Sequence, residues 1–260
     1  MYKPLTEDDK ISDVAIVTSG VFQDGASSIT TFHTSSTQYT NTGDYNVDVY
    51  RYDPGTNTSA SVQFGVAYGH AEGSASLGLP GTAGDRTTAA VFGQFNMINP
   101  PQTQRFKFSG LTDVKQVYAL TFNRARIRES LEPGGWEIHI NDGAHTVKLI
   151  DDSSTNVGGN TDQRNFSPEY NIVSGTLING TTVNTTATGE GSTIGSYGLF
   201  YPSLGTLIFN PIRLQNTPLN LITKSGSNSD DRNARLFSNS IKEGAYFSAK
   251  RQEEITSRHY

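Results

Sequence analysis

The sequence predicts a mainly β protein in which antiparallel, sandwich-like sheets are joined by long polar loops and one short helix lies near the C-terminus. Three observations predict this. β-branched and aromatic residues alternate with polar residues along several segments, as in half-buried strands. Asp-Gly and Asn-Gly pairs stand between such segments, and these pairs tolerate the positive φ of tight hairpin turns. A clear helical spacing of apolar residues occurs near the C-terminus.

Residues 1–150 are predicted to form a β domain. Val47 and Val49 share one face of a strand over residues 45–52, which Pro54 and Gly55 end. Residues 62–68 alternate in the same way. Further along, the alternation predicts two more strands, a short one at 105–108 and a long one at 115–128.

Turn residues predict three hairpins. The first joins 137–140 to 145–150 through Asn-Asp-Gly-Ala, and the second joins 175–178 to 181–183 through Asn-Gly. A third pairs 197–201 with 206–209. Residues 151–260 therefore form a second β-rich region, either separate from the first domain or continuous with it.

The predicted helix covers residues 230–243. Ala234, Phe237 and Ile241 recur at a helical spacing and form one apolar stripe. Gly244 occupies the position where a left-handed glycine commonly ends a helix. Residues 245–250 are predicted to continue as a strand.

Composition excludes several classes of protein. The 260 residues include no Cys, which excludes disulfides, Cys-ligated zinc and thiol nucleophiles. The net charge of −5 argues against general nucleic-acid binding. No apolar run is long enough for a membrane-spanning helix. Ser, Thr and Asn together number about 75, a composition unlike that of ordinary cytosolic enzymes and, at this low net charge, unlike that of disordered chains.

Signals for catalysis or metal binding are weak. His139 and His145 flank the first hairpin turn and could face each other, with Glu137 on the face of His139, but a metal would need a third ligand. The alternative places them at the rim of a polar hairpin. Asp151 and Asp152 are adjacent, so on a strand they would point to opposite faces. The sequence therefore predicts no catalytic residue, no metal and no cofactor, while a glycosidase built from distant acids stays open.

Three arginines are the most informative charges. Arg124, Arg126 and Arg128 alternate at the end of the predicted strand 115–128, on the face that its earlier apolar residues occupy. Guanidinium groups suit bidentate pairing with carboxylates, so this Arg stripe predicts a contact with a neighbouring subunit or domain. The alternatives are a solvated face paired in cis with Glu129 or Glu132, and a phosphate site.

The last residues alternate like a strand and make up the second half of the predicted interface. A strand at the end of a chain exposes an edge unless something pairs with it. We therefore expect another chain to cover this strand, or the sequence to be a portion of a longer one. The predicted contact residues here are Ile255, Ser257, Arg258, His259 and Tyr260.

Residues 229–260 (SDDRNARLFSNSIKEGAYFSAKRQEEITSRHY) resemble a segment of virion structural proteins of T4-like contractile-tailed phages, especially those of marine cyanobacteria. Other similar stretches follow the same order: TSSTQYTNTGDYNVDVYRYDP, SASVQFGVAYGHAEGS, YALTFNRARIRE, LEPGGWEIHI and SYGLFYPSLGTLIFNP. Members of that group continue beyond the equivalent of Tyr260 into further strands.

The resemblance implies a non-enzymatic structural subunit of a phage tail, above all of the baseplate, in the virion after assembly in the host cytoplasm. Its implied partners are other tail and baseplate proteins, with several copies per particle, and neither nucleic acid nor membrane. Strand edges, loops and the Arg stripe would hold these neighbours. The group has no catalytic motif that could be transferred to this chain.

Other functions remain as alternatives. One is a carbohydrate- or receptor-binding module of a fibre, which an exposed Trp136 would support. Another is a protein that decorates the capsid or neck. A glycan-cleaving enzyme would require two carboxyl groups about 5–10 Å apart in one cleft.

Overall fold

The structure is a computed structural model that describes residues 11–34, 46–76, 87–98, 106–109, 111–156, 168–178, 182–183, 194–224 and 232–259. The strands are β1 Ile11–Gly20, β2 Ser28–Ile29, β3 His33–Thr34, β4 Asn46–Tyr50, β5 Val62–His70, β6 Gln116–Phe122, β7 Ser130–Asn141, β8 Thr146–Asp151, β9 Tyr170–Thr176, β10 Thr182–Val183, β11 Gly198–Tyr201, β12 Thr206–Phe209 and β13 Phe247–His259. The helices are α1 Thr87–Asn96, α2 Arg124–Ile127, α3 Pro211–Leu214 and α4 Arg232–Gly244.

The described strands form one antiparallel sheet. Its order is β1-β13-β7-β8-β9-β11-β12-β6-β5-β4-β3, with β10 added to β9 and β2 added to β13. This confirms the predicted mainly antiparallel β class. The sandwich arrangement is not confirmed, because the strands follow a single curled path. Strands on the two sides of residue 150 pair with each other, β12 with β6 and β13 with β7, so both predicted regions contribute to the same sheet.

The sheet curls around α4. This helix contacts β7 towards one end of the sheet and β4 and β5 towards the other. Its predicted apolar stripe is confirmed, since Ala234, Phe237 and Ile241 are all buried. The Phe237 ring stacks on Tyr118 with centroids 4.6 Å apart and contacts Phe209 at 4.9 Å. The helix therefore supplies the centre of the main core.

The middle strands of the sheet are covered on both faces. In β6, Tyr118 and Leu120 point into the main core, whereas Val117 and Ala119 belong to a second apolar cluster. That cluster includes Phe92 of α1, which packs across the opposite face. The alternation of side chains along a strand thus serves two cores here.

The predicted hairpins agree with the pairing of described strands. β7 pairs with β8, β9 with β10 and β11 with β12, all antiparallel. The predicted Asn179-Gly180 turn lies outside the described residues.

One predicted strand is wrong, and another is correct over Gln116–Phe122 but was predicted too long. Residues 105–108 do not form a strand over the part that the structure describes, where Phe108 makes only an isolated bridge to Leu111. The long strand 115–128 ends at Phe122. Asn123 then accepts a hydrogen bond from the Ala125 amide at 3.1 Å and begins the short helix α2.

The end of α4 also differs from its prediction. Gly244 is the last helical residue, and the left-handed conformation belongs to Ala245, whose φ is 51°. Gly244 instead allows a close approach, because a Cβ atom there would collide with the carbonyl group of His139. Among the described residues, no helix is both long and apolar enough to cross a bilayer.

Candidate assembly surface

The first and last described strands form a two-stranded ribbon at the edge of the sheet. β1 pairs with β13 without a break, from Gly20 opposite Lys250 to Ile11 opposite His259. On its other side, β13 pairs with β7 only as far as Gln252, opposite Ser130. Beyond that point β1 and β13 continue without a third described strand.

The ribbon exposes aliphatic side chains to solvent. Ile16 is 70% exposed and Val14 is 55% exposed. Val17 and Ile255 are exposed as well. A two-stranded ribbon is marginally stable in water, and neighbouring exposed apolar residues are typical of interaction sites. We identify this ribbon, residues 11–18 with 252–259, as the candidate site.

Backbone hydrogen bonds establish which residues of β1 point outwards. The Glu254 amide donates to the Glu129 carboxylate at 2.8 Å, on the β7 side of β13. The Val21 amide donates to the Ala249 carbonyl on the β1 side. The backbone N–H and C=O groups of odd-numbered residues in β13 therefore point towards β1. The backbone groups of their odd-numbered partners in β1 point towards β13. The backbone groups of Val14, Ile16 and Thr18 consequently face the outer edge, where the structure describes no further strand.

The predicted Arg stripe on a strand is wrong in its geometry. Arg124 and Arg126 belong to α2, and Arg128 follows it with a φ of 53°. The reason is that Asn123 ends β6 by capping α2, so the alternation of a strand no longer applies. The three side chains consequently point in different directions.

Each of these guanidinium groups has a partner within the chain. Arg124 donates to the Ser203 carbonyl at 2.8 Å, and Arg126 donates to the Val62 carbonyl at 3.0 Å and to the Ser61 hydroxyl. Arg128 pairs with both carboxylate oxygens of Glu253, at 2.6 and 2.5 Å.

Pairing in cis therefore occurs, but the acid is Glu253 rather than Glu129 or Glu132. Burial lowers the pKa of Arg126, whereas the hydrogen bond from Arg128 lowers the pKa of Glu253. A contact of these arginines with another subunit remains a prediction.

Residues in and just after α2 form hydrogen bonds with β13 at the root of the ribbon, near residues 251–254. Arg251 donates to the Ser19 hydroxyl at 2.9 Å and to the Arg126 carbonyl at 3.0 Å. The Arg128–Glu253 pair and the Glu129–Glu254 hydrogen bond act on the same stretch of β13. Residues 124–129 therefore hold β13 at the root of the ribbon, which is the point where the ribbon leaves the rest of the sheet.

The structure changes the expectation for the C-terminal strand. Ile255 and Ser257 lie opposite Ala15 and Asp13, so β1 of the same chain covers the edge that was expected to need another chain. The backbones of Arg258 and His259 continue this pairing, and Tyr260 lies outside the described residues. β1 itself is a terminal strand of the sheet, and among the described residues no strand pairs with its outer edge. The alternation of residues did not predict β1.

The two hairpin histidines do not face each other. His139 lies opposite Lys148, and its Nε2 atom is 2.6 Å from the buried Glu137 carboxylate. His145 Nδ1 lies 3.6 Å from Asp142 in the turn. Over the described ranges, no three His, Asp or Glu side chains are grouped as metal ligands.

The adjacent acids Asp151 and Asp152 have structural partners. Asp151 accepts hydrogen bonds from the Gly134 and Ser153 amides at 2.9 and 3.0 Å. Asp152 accepts from the amide and side chain of Asn171 at 2.9 and 2.8 Å. Burial raises the pKa of both carboxyls, although these hydrogen bonds act in the opposite direction. The pair joins β8 to neighbouring segments.

Trp136 does not offer a platform for sugars. Its side chain is 1% exposed and packs against the edge of Phe200, with ring centroids 5.4 Å apart.

A glycan-cleaving enzyme would need two carboxyl groups in one cleft. A surface cleft lined by His33, Arg51 and Asp53 contains one carboxylate among its lining residues. A second, at Asp142 and His145, also contains one carboxylate among its lining residues.

No family model matches this chain, and neither a curated protein nor a solved structure is significantly similar to it.

Proposed function

We propose that this chain is a non-enzymatic structural subunit of a bacteriophage tail, specifically of the baseplate, and that it holds neighbouring subunits through its open sheet edge. The observation that carries the proposal is the ribbon of β1 and β13, with exposed Val14 and Ile16 and an outer edge that pairs with no other strand that the structure describes. The link to the phage tail comes from the resemblance that we infer for the sequence stretches quoted above, and the comparisons with known proteins do not add to it.

The ribbon suits assembly by strand addition. An added strand would pair with the outward backbone groups of β1 through main-chain hydrogen bonds. It would also cover the exposed aliphatic side chains beside them, which provides a hydrophobic contribution. The contacts of Arg128 and Arg251 at the root would hold the ribbon in a defined direction while it binds.

Other observations support this proposal over its alternatives. The acids considered for catalysis are bonded to backbone amides, and Trp136 is buried, which leaves a carbohydrate-binding module without its expected aromatic platform. Decoration of a capsid or neck would use the same chemistry at the ribbon. The location within the particle separates that alternative from the baseplate.

The proposal is tested by quantitative mass spectrometry of purified particles of the phage that encodes this chain, after separation of heads from tails. We expect the chain in several copies per particle, in the tail fraction and in cross-links to other baseplate proteins. Enrichment in the head or neck fraction would support the decoration alternative instead. Absence from washed particles would contradict a structural role in the virion.

A further inference from the structure

We infer that the partner strand of β1 is β1 of a second copy, paired antiparallel about a twofold axis with Ala15 opposite the partner's Ala15. This inference deepens the proposed assembly role and rests on it. The pairing would join two ribbons into a four-stranded sheet.

Within the part of the chain that the structure describes, the outer edge of β1 has little of the usual protection against such pairing. Exposed edges are generally blocked by Lys, Pro, a bulge or an inward-pointing charge. β1 reads Ile-Ser-Asp-Val-Ala-Ile-Val-Thr-Ser-Gly, and Asp13 is its one charged residue. Its pairing with β13 has no bulge, so the edge is regular over all ten residues. A regular edge with a single charged residue is suited to receive another strand.

Side-chain complementarity selects the register. A twofold axis at Ala15 places Val14 opposite the partner's Ile16, and Ile16 opposite the partner's Val14. An axis at Val14 would set Ile16 opposite Ser12, and an axis at Ile16 would set Val14 opposite Thr18. The register centred on Ala15 is therefore the one that pairs Val14 and Ile16, the two most exposed aliphatic residues of β1, with each other across the two copies.

The backbone and the charges agree with this register. Val14 and Ile16 direct their backbone groups outwards, as a hydrogen-bonded pair requires. Asp13 lies opposite the partner's Val17, whereas an axis at Asp13 would oppose two carboxylates.

The other face gains an apolar row. Ala15 already neighbours Ile255 across β1 and β13. The symmetric pairing would form a row across the four strands in the order Ile255, Ala15, the partner's Ala15 and the partner's Ile255. The resulting sheet exceeds the three strands needed for independent stability.

Single cysteines provide the test, because the natural chain contains none. In the proposed dimer Ala15 and its symmetry mate form a non-hydrogen-bonded pair with Cα atoms about 4.5 Å apart, within disulfide range. Ala15→Cys should therefore form a disulfide-linked dimer rapidly under mild oxidation. In the matched control Val17→Cys, the two sulfur-bearing residues would lie roughly 14 Å apart along the strands, so it should stay unlinked.

A mixture of Asp13→Cys and Val17→Cys chains checks the register directly. These two positions oppose each other in the proposed dimer, so the mixture should yield the cross-linked heterodimer. All the substituted residues are exposed, and circular dichroism verifies that each variant is folded.

Light scattering of the unmodified chain provides a second readout. At about 0.1 mM, a dimer with a Kd near ~10 µM is largely formed. Val14→Lys with Ile16→Lys should raise that Kd at least tenfold, because both side chains lose apolar contacts and gain repulsive charges.

A monomeric chain, or an Ala15→Cys variant that links no faster than Val17→Cys, would overturn the inference. If the chain is nevertheless found in tail particles, the proposed function stands and only the identity of the partner strand is wrong. If the chain is absent from particles, the proposed function fails whatever the cysteine variants show.

Discussion

At the scale of single residues, Glu137 is the clearest case of a buried charge held by its neighbours. The residue is fully buried. His139, the Thr176 hydroxyl and the Leu177 amide lie 2.6, 3.0 and 2.6 Å from its carboxylate oxygens. Burial alone would raise the pKa of Glu137, but these hydrogen bonds together lower it below the ordinary 4.5. The carboxylate therefore joins β7 to the end of β9 at neutral pH.

Glu137→Gln should destabilise the fold by about 2–3 kcal/mol at pH 7, because an amide cannot accept all three hydrogen bonds. The folded pKa lies below the unfolded one, so the contribution of this carboxylate is present above pH 4.5 and is lost as the pH falls. Urea unfolding at several pH values measures this. The difference between the two chains should shrink towards pH 3, and a constant difference would contradict the assigned role of the charge.

Arg126 and Arg124 provide a matched pair for the root of the ribbon. Arg126 is half-buried and bonds to Val62 and Ser61, whereas Arg124 is exposed and bonds to one carbonyl. Arg126→Ala should cost about 1–2 kcal/mol, since the Val62 carbonyl loses its partner in a partly buried place. Arg124→Ala should cost less than ~0.5 kcal/mol. Thermal unfolding compares the two variants, and equal losses would show that Arg126 does not anchor the segment.

At the scale of elements, local patterns predicted strands and hairpins well where one face is buried. The strand of Val47 and Val49 and the helix of Phe237 follow directly from alternation and helical spacing. The four-residue helix α2 is too short to show any period, so only Asn123, a favoured capping residue, could have indicated it.

β1 was missed for a different reason. Polar and apolar residues do not alternate in β1, because residues 14–17 are four consecutive apolar residues. Both of its faces are exposed in the ribbon, and a strand without a buried face has no pattern to impose. Its high content of β-branched residues was the available signal.

Asn210 links two elements through one side chain. It is fully buried, accepts hydrogen bonds from the Ile212 and Arg213 amides, and donates to the Ile194 and Ser196 carbonyls. The side chain thus caps α3 and holds the segment that leads into β11.

Asn210→Ala should cost about 2–4 kcal/mol, the sum of a lost cap and two unsatisfied carbonyls. Asn210→Asp keeps the helix cap, but its carboxylate cannot donate to the Ile194 and Ser196 carbonyls. It should therefore recover only a part of the lost stability. Chemical denaturation measures both variants. Full rescue by Asp would show that the bonds to the Ile194 and Ser196 carbonyls contribute nothing.

At the scale of the whole molecule, the sheet curls around α4 and ends in the β1–β13 ribbon. The sequence places residues 255–259 in a strand, and the structure agrees. It could not indicate that their partner lies at the opposite end of the chain, because pairing over such a separation leaves no local pattern. The sequence indicates that the three arginines are important charges, but their position where the ribbon leaves the rest of the sheet depends on that pairing.

The position of the β1–β13 ribbon at the end of the sheet leads us to expect that a neighbouring subunit covers β1 in an assembly. A ribbon whose outer strand has one charged residue, and pairs with no further strand among the described residues, is unfavourable for an isolated subunit and useful for one that is always covered by a neighbour. We therefore expect β1 to be the most strongly protected part of the surface once the subunit is assembled.

The most direct test is a reconstruction of the assembled tail at a resolution that separates strands. We predict a strand beside the outer edge of β1 at about 4.8 Å, hydrogen-bonded to residues 14–18. A particle in which the outer edge of β1 faces solvent, or in which this chain has no place, would contradict the account.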